Sequence, residues 1–392
     1  MPESYFFCNF AADFIFYVSY FMFNPFYIAG YGGPEYFCDR EQETKKLVNA
    51  LTNNRNVAFI SPRRLGKTAL IHHAFNRISE SDTNARCFYI DIFNTQNQAE
   101  LVSLIGNKVL GELDSLSEKI IARLSSFLKS CRPLFSYNAV TNSPEMSLTI
   151  EPDKSQASLE EIFNYLNTSG YECYIALDEF QQITYYPEKG TEAFLRSLMQ
   201  FTEHVHFVFA GSKQHIMAEM FTSPKRPFYQ CCQKMGLEPI PIETYYTFAS
   251  GLFEKSSKRL PREIFENVYS LAKGYTWFIQ DMMNRLFGSE CDVAGDTELR
   301  KVLSDVKEEG DVTFKNYCAL FSAGQLRLVK AIAAEDVVEK PFEQKFMTNH
   351  GLTAVSSVRQ ALKTLTELGI VVQSDRGYFI SDRYFSIWLS CP

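Results

Sequence analysis

FISPRRLGKTALIHH, residues 59–73, is the stretch on which the fold turns. It matches the phosphate-loop pattern G-x-x-x-x-G-K-[ST] at every fixed position except the first, where Ser61 replaces glycine. The run NVAFI (56–60) leading into it is short, apolar and bounded by polar residues, as a strand buried in a parallel sheet is. The run after it, residues 66–79, puts Leu70, Ile71, Ala74 and Phe75 on one side of a helix. Strand, loop and helix therefore follow in the order a phosphate cradle needs. The candidate binding residues are Pro62, Arg63, Arg64, Leu65, Gly66, Lys67, Thr68 and Ala69. Backbone amides over residues 62–67 point inward at an anion, and the helix N-terminus adds its partial positive charge. Lys67 reaches the outer phosphates and Thr68 offers its hydroxyl to Mg2+. Gly66 lets the backbone approach a phosphate without a Cβ in the way. Ser61 stands where the strand ends and the turn begins, where a small residue is tolerated.

A second stretch, YECYIALDEFQQI (171–183), is an apolar strand ending in two adjacent acids. Consecutive strand residues point in opposite directions, so the two carboxylates take different roles. Asp178 suits the magnesium shell, and Glu179 suits the water that attacks a phosphate. A third strand, HFVFAGSK (206–213), ends at Ser212, whose hydroxyl is placed to sense a terminal phosphate.

Composition sets the limits around these motifs. A chain of 392 residues exceeds one typical core and predicts two or three domains. With 46% hydrophobic and 22% charged residues it reads as a soluble globular protein. A net charge of -7 excludes attraction of the whole chain to nucleic acid or an anionic membrane, so any such contact needs a local basic face. Ten cysteines without a C-x-x-C pair argue against a zinc site or disulfide framework and for a reducing cytoplasm. The stretch YFFCNFAADFIFYVSYFMF (5–23) has the length of a membrane span. Asp13 at its centre and the lack of Lys or Arg before Arg40 count against a span or a signal peptide. Translation from Met22 would leave residues 1–21 as an extension, with an additional packed helix and then a membrane anchor as the alternatives, and residues 1–23 are set apart on that basis.

PEYFCDRE (34–41), ISPRRLGKT (60–68), IALDEFQQI (175–183), FVFAGSKQHIM (207–217), SPKRPFYQ (223–230) and KGYTWFIQDMMNRLF (273–287) together resemble one family. It is that of the archaeal-type AAA+ ATPases, also common in Bacteroidetes and related to the STAND switch NTPases. The resemblance runs from about Asn24 to the C-terminus. It implies an α/β fold: a P-loop AAA+ parallel-sheet core, a helical lid and a C-terminal winged helix. ATP and Mg2+ are the implied ligands. By position, Lys67 and Thr68 become the Walker A residues, Asp178 and Glu179 the Walker B pair, and Ser212 the sensor. Arg40 matches the arginine near the nucleotide base. The family commonly carries Ser-Pro-Arg-Arg in the loop, which makes Ser61 compatible with a working cradle. Arg226, past a short helix after Ser212, is placed to approach the phosphate of its own or a neighbouring subunit.

The domains read as an ATPase core over 24–240, a helical lid over 241–310 and a winged helix-turn-helix over 311–392. Asp39, with Gln42 three residues on, reads as the cap of the first core helix. Residues 97–170 include an insertion whose alternating stretch 132–152 predicts a hairpin turning around Asn142, Ser143 and Pro144. GYTWFIQ (274–280) occupies the second sensor region but has no arginine at the head of its helix. In the winged helix, the third helix turns Val358, Leu362, Leu365 and Leu368 inward and leaves Ser357, Arg359, Gln360 and Lys363 outward. Eight basic against seven acidic residues from 321 onward make a weak footprint for DNA, so DNA and an unidentified protein partner suit the module equally. His204 and His206 share a strand face without a third ligand, and His72 and His73 lie on the loop helix, so all four read as packing or surface residues. Three functions fit: an ATP-driven switch, DNA binding under nucleotide control, and a nucleotide-locked scaffold with little turnover. Each is cytoplasmic, needs no membrane and allows an oligomer.

Overall fold

The computed structural model describes residues 23–113, 124, 126, 128–138, 143–374 and 376–390. The extension at 1–22, the tip of the inserted hairpin at 139–142 and Asp375 lie outside the described residues. The chain divides into two compact units, one over Ala29–Ile240 and one made of Pro241 onward together with the segment ending at Ile28.

The first unit runs α1 (Glu41–Thr52), β1 (Val57–Ile60), α2 (Lys67–Ser81), β2 (Ala85–Asp91), α3 (Gln98–Leu113), β3 (Arg132–Asn138), β4 (Ser143–Thr149), α4 (Ser155–Asn167), β5 (Glu172–Asp178), α5 (Thr191–Gln200), β6 (Val205–Gly211), α6 (Gln214–Thr222) and β7 (Gln233–Met235). Five strands form one parallel sheet in the order β2-β5-β6-β1-β7. The central strands are apolar along their length because helices cover both faces of a parallel sheet. β6 is buried at every residue and β5 at all but the first. Phe180, Phe209, Phe221 and Phe228 fill the space under their ends, with ring centroids 4.4–6.1 Å apart. Register places the ends of neighbouring strands side by side: Asp91 opposite Asp178, Leu177 opposite Phe209, and Ile60 opposite Gly211. Loops after four strands thus leave the sheet along a single edge, where open α/β sheets bind ligands. The inserted hairpin β3–β4 packs on α3. Ser103 Oγ donates to the Leu148 carbonyl at 2.7 Å, and the Leu148 amide donates to Asn107 Oδ1 at 2.5 Å.

The second unit runs α7 (Ile242–Lys255), α8 (Arg262–Ala272), α9 (Thr276–Phe287), α10 (Asp296–Ala319), α11 (Ala323–Glu335), α12 (Gln344–Asn349), α13 (Val355–Glu367), the antiparallel pair β8 (Val371–Ser374) and β9 (Gly377–Ile380), and α14 (Arg383–Ser390). Asn24–Ile28, which the sequence reading assigns to the core, belongs here. Phe26 is buried against Phe253 and Phe287, and Asn24 and Asn284 each donate to the other segment's backbone at 2.7–2.8 Å. The expected boundary at 310/311 falls inside α10, whose 24 residues run from Asp296 to Ala319. α11 starts at a capping box in which Ser322 and Gln325 satisfy each other's amides. On α13 the inward Val358, Leu362 and Leu365 are buried as expected, but Leu368 is the C-cap and is exposed.

Candidate active site

Ser61 follows β1 directly and is almost fully buried. Its backbone is not in the left-handed region, so glycine is not required there. Two later loop positions are left-handed: Arg64, with φ 68°, and Gly66, with φ 88°, which caps α2. This curls the loop over the start of the helix. Lys67 is buried, and its Nζ donates to the carbonyls of Ser61 at 3.2 Å and Pro62 at 2.8 Å. Pro62 has no N–H, so its part in the loop is that carbonyl. Burial lowers the Lys67 pKa, while the charges of Asp178 and Glu179 pull it back up. Ala69, on the first turn of α2, is half-buried.

Asp178 at the end of β5 faces this turn. Its Oδ2 accepts from Thr68 Oγ1 at 3.0 Å and from Tyr89 OH at 2.5 Å. Burial and the neighbouring Asp178 charge raise the Tyr89 phenol, so it remains a donor. Asp91, beside Asp178 in register, has its carboxyl raised by burial despite the bond from the Phe93 amide. Sequence reading found neither Tyr89 nor Asp91, since only strand pairing brings β2 to β5.

Glu179 departs from the strand with φ 55°, a costly conformation for a side-chain-bearing residue that turns its carboxylate away from Asp178. Its Oε2 accepts from Gln181 Nε2 at 2.5 Å and from Ser212 Oγ at 2.8 Å. Arg63 donates through Nε to Ser212 Oγ at 2.8 Å, and its Nη2 lies 3.9 Å from the same Glu179 oxygen. Gly211, just before Ser212, has no room for a side chain: a Cβ would meet Gln181 Oε1 at 2.3 Å and Met217 Sδ at 2.6 Å.

Other expected residues stand apart from this cluster. Arg40 is buried in a left-handed conformation and is itself the N-cap of α1, so Asp39 does not cap that helix. Its guanidinium donates to the Leu65 carbonyl at 3.3 Å and to Glu43 at 2.9 Å, bracing the loop from behind. Arg226 pairs with Glu192 and, at 3.5 Å, with Glu219. Arg285 pairs with Asp281 at 2.9 Å and with Glu309 at 2.8 Å. His204 and His206 both bond Glu172, and among the described residues no group of three metal-binding side chains occurs. No described helix is long and apolar enough to cross a membrane.

The family model described as "ATPase domain predominantly from Archaea" matches residues 37–282. A second, described as "Probable winged helix domain", matches residues 312–391. No curated protein matches in sequence. Among solved structures, the Walker-type ATPase PABY2304 of Pyrococcus abyssi is 18% identical with a TM-score of 0.66, covering 94% of this chain and 100% of that one. The Aeropyrum pernix ORC2 protein, solved as ADPNP–ADP complexes, is 16% identical with a TM-score of 0.56, covering 89% of this chain and 92% of its own. The Aeropyrum pernix ORC1 protein, solved in complex with DNA, is 13% identical with a TM-score of 0.50, covering 91% and 93%. These likenesses bear on fold: a P-loop parallel-sheet core with helices and a C-terminal winged helix.

Proposed function

The chain belongs to the ATPase-domain family predominantly from Archaea, and we propose that it is a magnesium-dependent ATP hydrolase working as a STAND-like nucleotide switch. The observation that carries this reading is the 3.0 Å bond between Thr68 Oγ1 and Asp178 Oδ2 at the mouth of the Lys67 loop. A hydroxyl and a carboxylate are the hard oxygen donors that Mg2+ takes, so the pair fits that ion. Mg2+ held there would neutralise charge developing on the outer phosphates. The amides from Arg63 to Ala69 cradle the phosphates, and the Lys67 ammonium exchanges two loop carbonyls for phosphate oxygens. Arg40 fixes the outer wall of the loop near the base. Glu179 orients the attacking water and Ser212 holds the terminal phosphate. In the cell the protein works in the cytoplasm, and ATP exchange alters how the core acts on the C-terminal unit.

Single-turnover hydrolysis by the full chain, with Mg2+ and with a chelator, tests this reading. Cleavage that depends on Mg2+ is expected. Tight ATP retention without cleavage would replace the switch with a locked scaffold. Arg226 acts as a finger on a neighbouring subunit if mixing Arg226→Ala with Lys67→Ala protein restores hydrolysis, and within its own chain if only the single mutant loses it.

A second reading, DNA binding under nucleotide control, is favoured by one observation. Ser357, Arg359, Gln360 and Lys363 are all exposed on α13, the helix that enters the groove in winged modules. An unidentified protein partner is the competing occupant of that face.

A further inference from the structure

The ATP-hydrolase reading leaves the Arg63 side chain without a task, and the inference here rests on that reading and extends it. Arg63, on the phosphate loop, bonds across to the residue that follows β6, through Nε to Ser212 Oγ at 2.8 Å. Its Nη2 sits 3.9 Å from Glu179 Oε2, an oxygen that already receives Ser212 Oγ and Gln181 Nε2. A guanidinium carried by the phosphate loop therefore lies beside both the hydroxyl that would touch a terminal phosphate and the acid that would orient water. Its side chain is 59% exposed, so it is free to turn within the mouth of the site.

Arg285 and Arg226 are engaged in ion pairs of their own. The head of α9 is Tyr275, Thr276 and Trp277, with no cation, and Arg285 is held by Asp281 and Glu309. Arg226 is held by Glu192 and Glu219. Arginine suits the task because its planar fork meets phosphate oxygens with two donors at once, which a lysine point charge does not.

We propose that Arg63 is the chain's own sensor of the terminal phosphate. When that phosphate enters beside Ser212, the fork exchanges Glu179 and Ser212 for phosphate oxygens, and Glu179 Oε2, relieved of one cationic neighbour, turns to the water. Arg63 keeps its proton throughout; only its hydrogen-bond acceptors change. ADP lacks the oxygens that drive the exchange, so Arg63 separates ATP from ADP.

The test measures binding of ADP and of the non-hydrolysable β,γ-imido analogue of ATP to the full chain, wild type against Arg63→Ala and Arg63→Lys. Arg63→Ala should weaken the analogue about 10- to 100-fold, the range for a lost charge-assisted bond, and leave ADP within about twofold. Arg63→Lys should fall between, because charge survives and the fork does not. Equal loss for both nucleotides would mean general damage to the loop and would overturn the proposal, as would no loss for either. Failure of the wild-type chain to bind either nucleotide would instead defeat the ATP reading of the whole site.

Discussion

The core unit and the C-terminal unit both bury charged and polar side chains, and they satisfy them differently. At the edge of the core sheet, Lys67, Asp178, Glu179 and Ser212 converge, and two buried atoms next to them, Ser61 Oγ and Gln181 Oε1, have no partner. In the C-terminal unit Asp281 accepts from Arg285 at 2.9 Å and from Tyr384 at 2.5 Å. Arg383 donates to Asp336 and to the Leu271 carbonyl at 2.8 Å, and Lys273 donates to Asp336. Among the described residues, Gln280 Oε1 is the single buried side-chain atom without a partner in that unit, against eight in the core. Unpaired buried groups are costly, so one beside a binding loop is bonding capacity kept for something else. Of the core's eight, Ser61 Oγ and Gln181 Oε1 lie at the sheet edge beside the phosphate loop, and the other six lie on other elements of the unit. The C-terminal unit uses its bonding capacity to lock lid helices to the winged helix.

Breaking the core side gives the largest effect. Lys67→Ala should weaken ATP binding by about 100-fold or more, whereas Glu179→Gln should bind ATP normally and hydrolyse it roughly 10²- to 10³-fold more slowly. Equal turnover in Glu179→Gln and wild type would remove that residue from the chemistry. Next comes the C-terminal network. Asp281→Ala leaves the buried Tyr384 phenol without its acceptor, while Arg285 keeps Glu309, and should cost about 1–3 kcal/mol in urea unfolding of that unit. Nucleotide affinity should not change, and a cost below about 1 kcal/mol would erase the contrast between the units. A smaller effect concerns the surface. Arg359→Glu with Lys363→Glu should abolish any duplex DNA binding at low salt while ATP turnover holds; unaltered binding would hand the α13 face to a protein partner.

The smallest effect is a pH dependence. Burial pushes the Asp336 carboxyl up, but bonds from Lys273 and Arg383 outweigh it and hold its pKa below the ordinary 3.8. A carboxyl depressed in the folded state stabilises above its unfolded value, and that contribution disappears as pH falls through the folded value. Asp336 is 56% exposed, so solvent screens much of the gain. Thermal midpoints between roughly pH 5 and pH 2 should drop slightly more steeply for wild type than for Asp336→Asn, and parallel curves would dismiss the effect.

Much of the core was legible because its signals are local. Ser61–Thr68 is a strand end, a loop and a helix start within eight positions, and Asp178–Glu179 and Ser212 each close a run of apolar residues. Tyr89 and Asp91 were not legible, since their roles exist only once β2 lies beside β5 in a register no local pattern encodes. Asp39 looked like a helix cap, but two successive left-handed residues, Asp39 and Arg40, move the start of α1 on by one and free Arg40 to brace the loop. Asn24–Ile28 reads as core in the sequence because its partners, Phe253, Asn284 and Phe287, come more than 220 positions later. The boundary at 310/311 lies one residue from the start of the winged-helix match at 312, although α10 runs through it without a break.

That helix has a further consequence. Its Glu309 is fastened to α9 through Arg285, and two residues on Asp311 accepts from Trp388 of α14 at 3.2 Å. Lid and winged helix therefore share one uninterrupted α-helical register, and their mutual orientation is a matter of phase. Each residue added to or removed from α10 between those two attachments would turn the winged helix by about 100° and shift it by about 1.5 Å relative to the lid. The face of α13 would sweep round with it, so the length of this segment is an angular setting that a single-codon insertion would throw out of alignment.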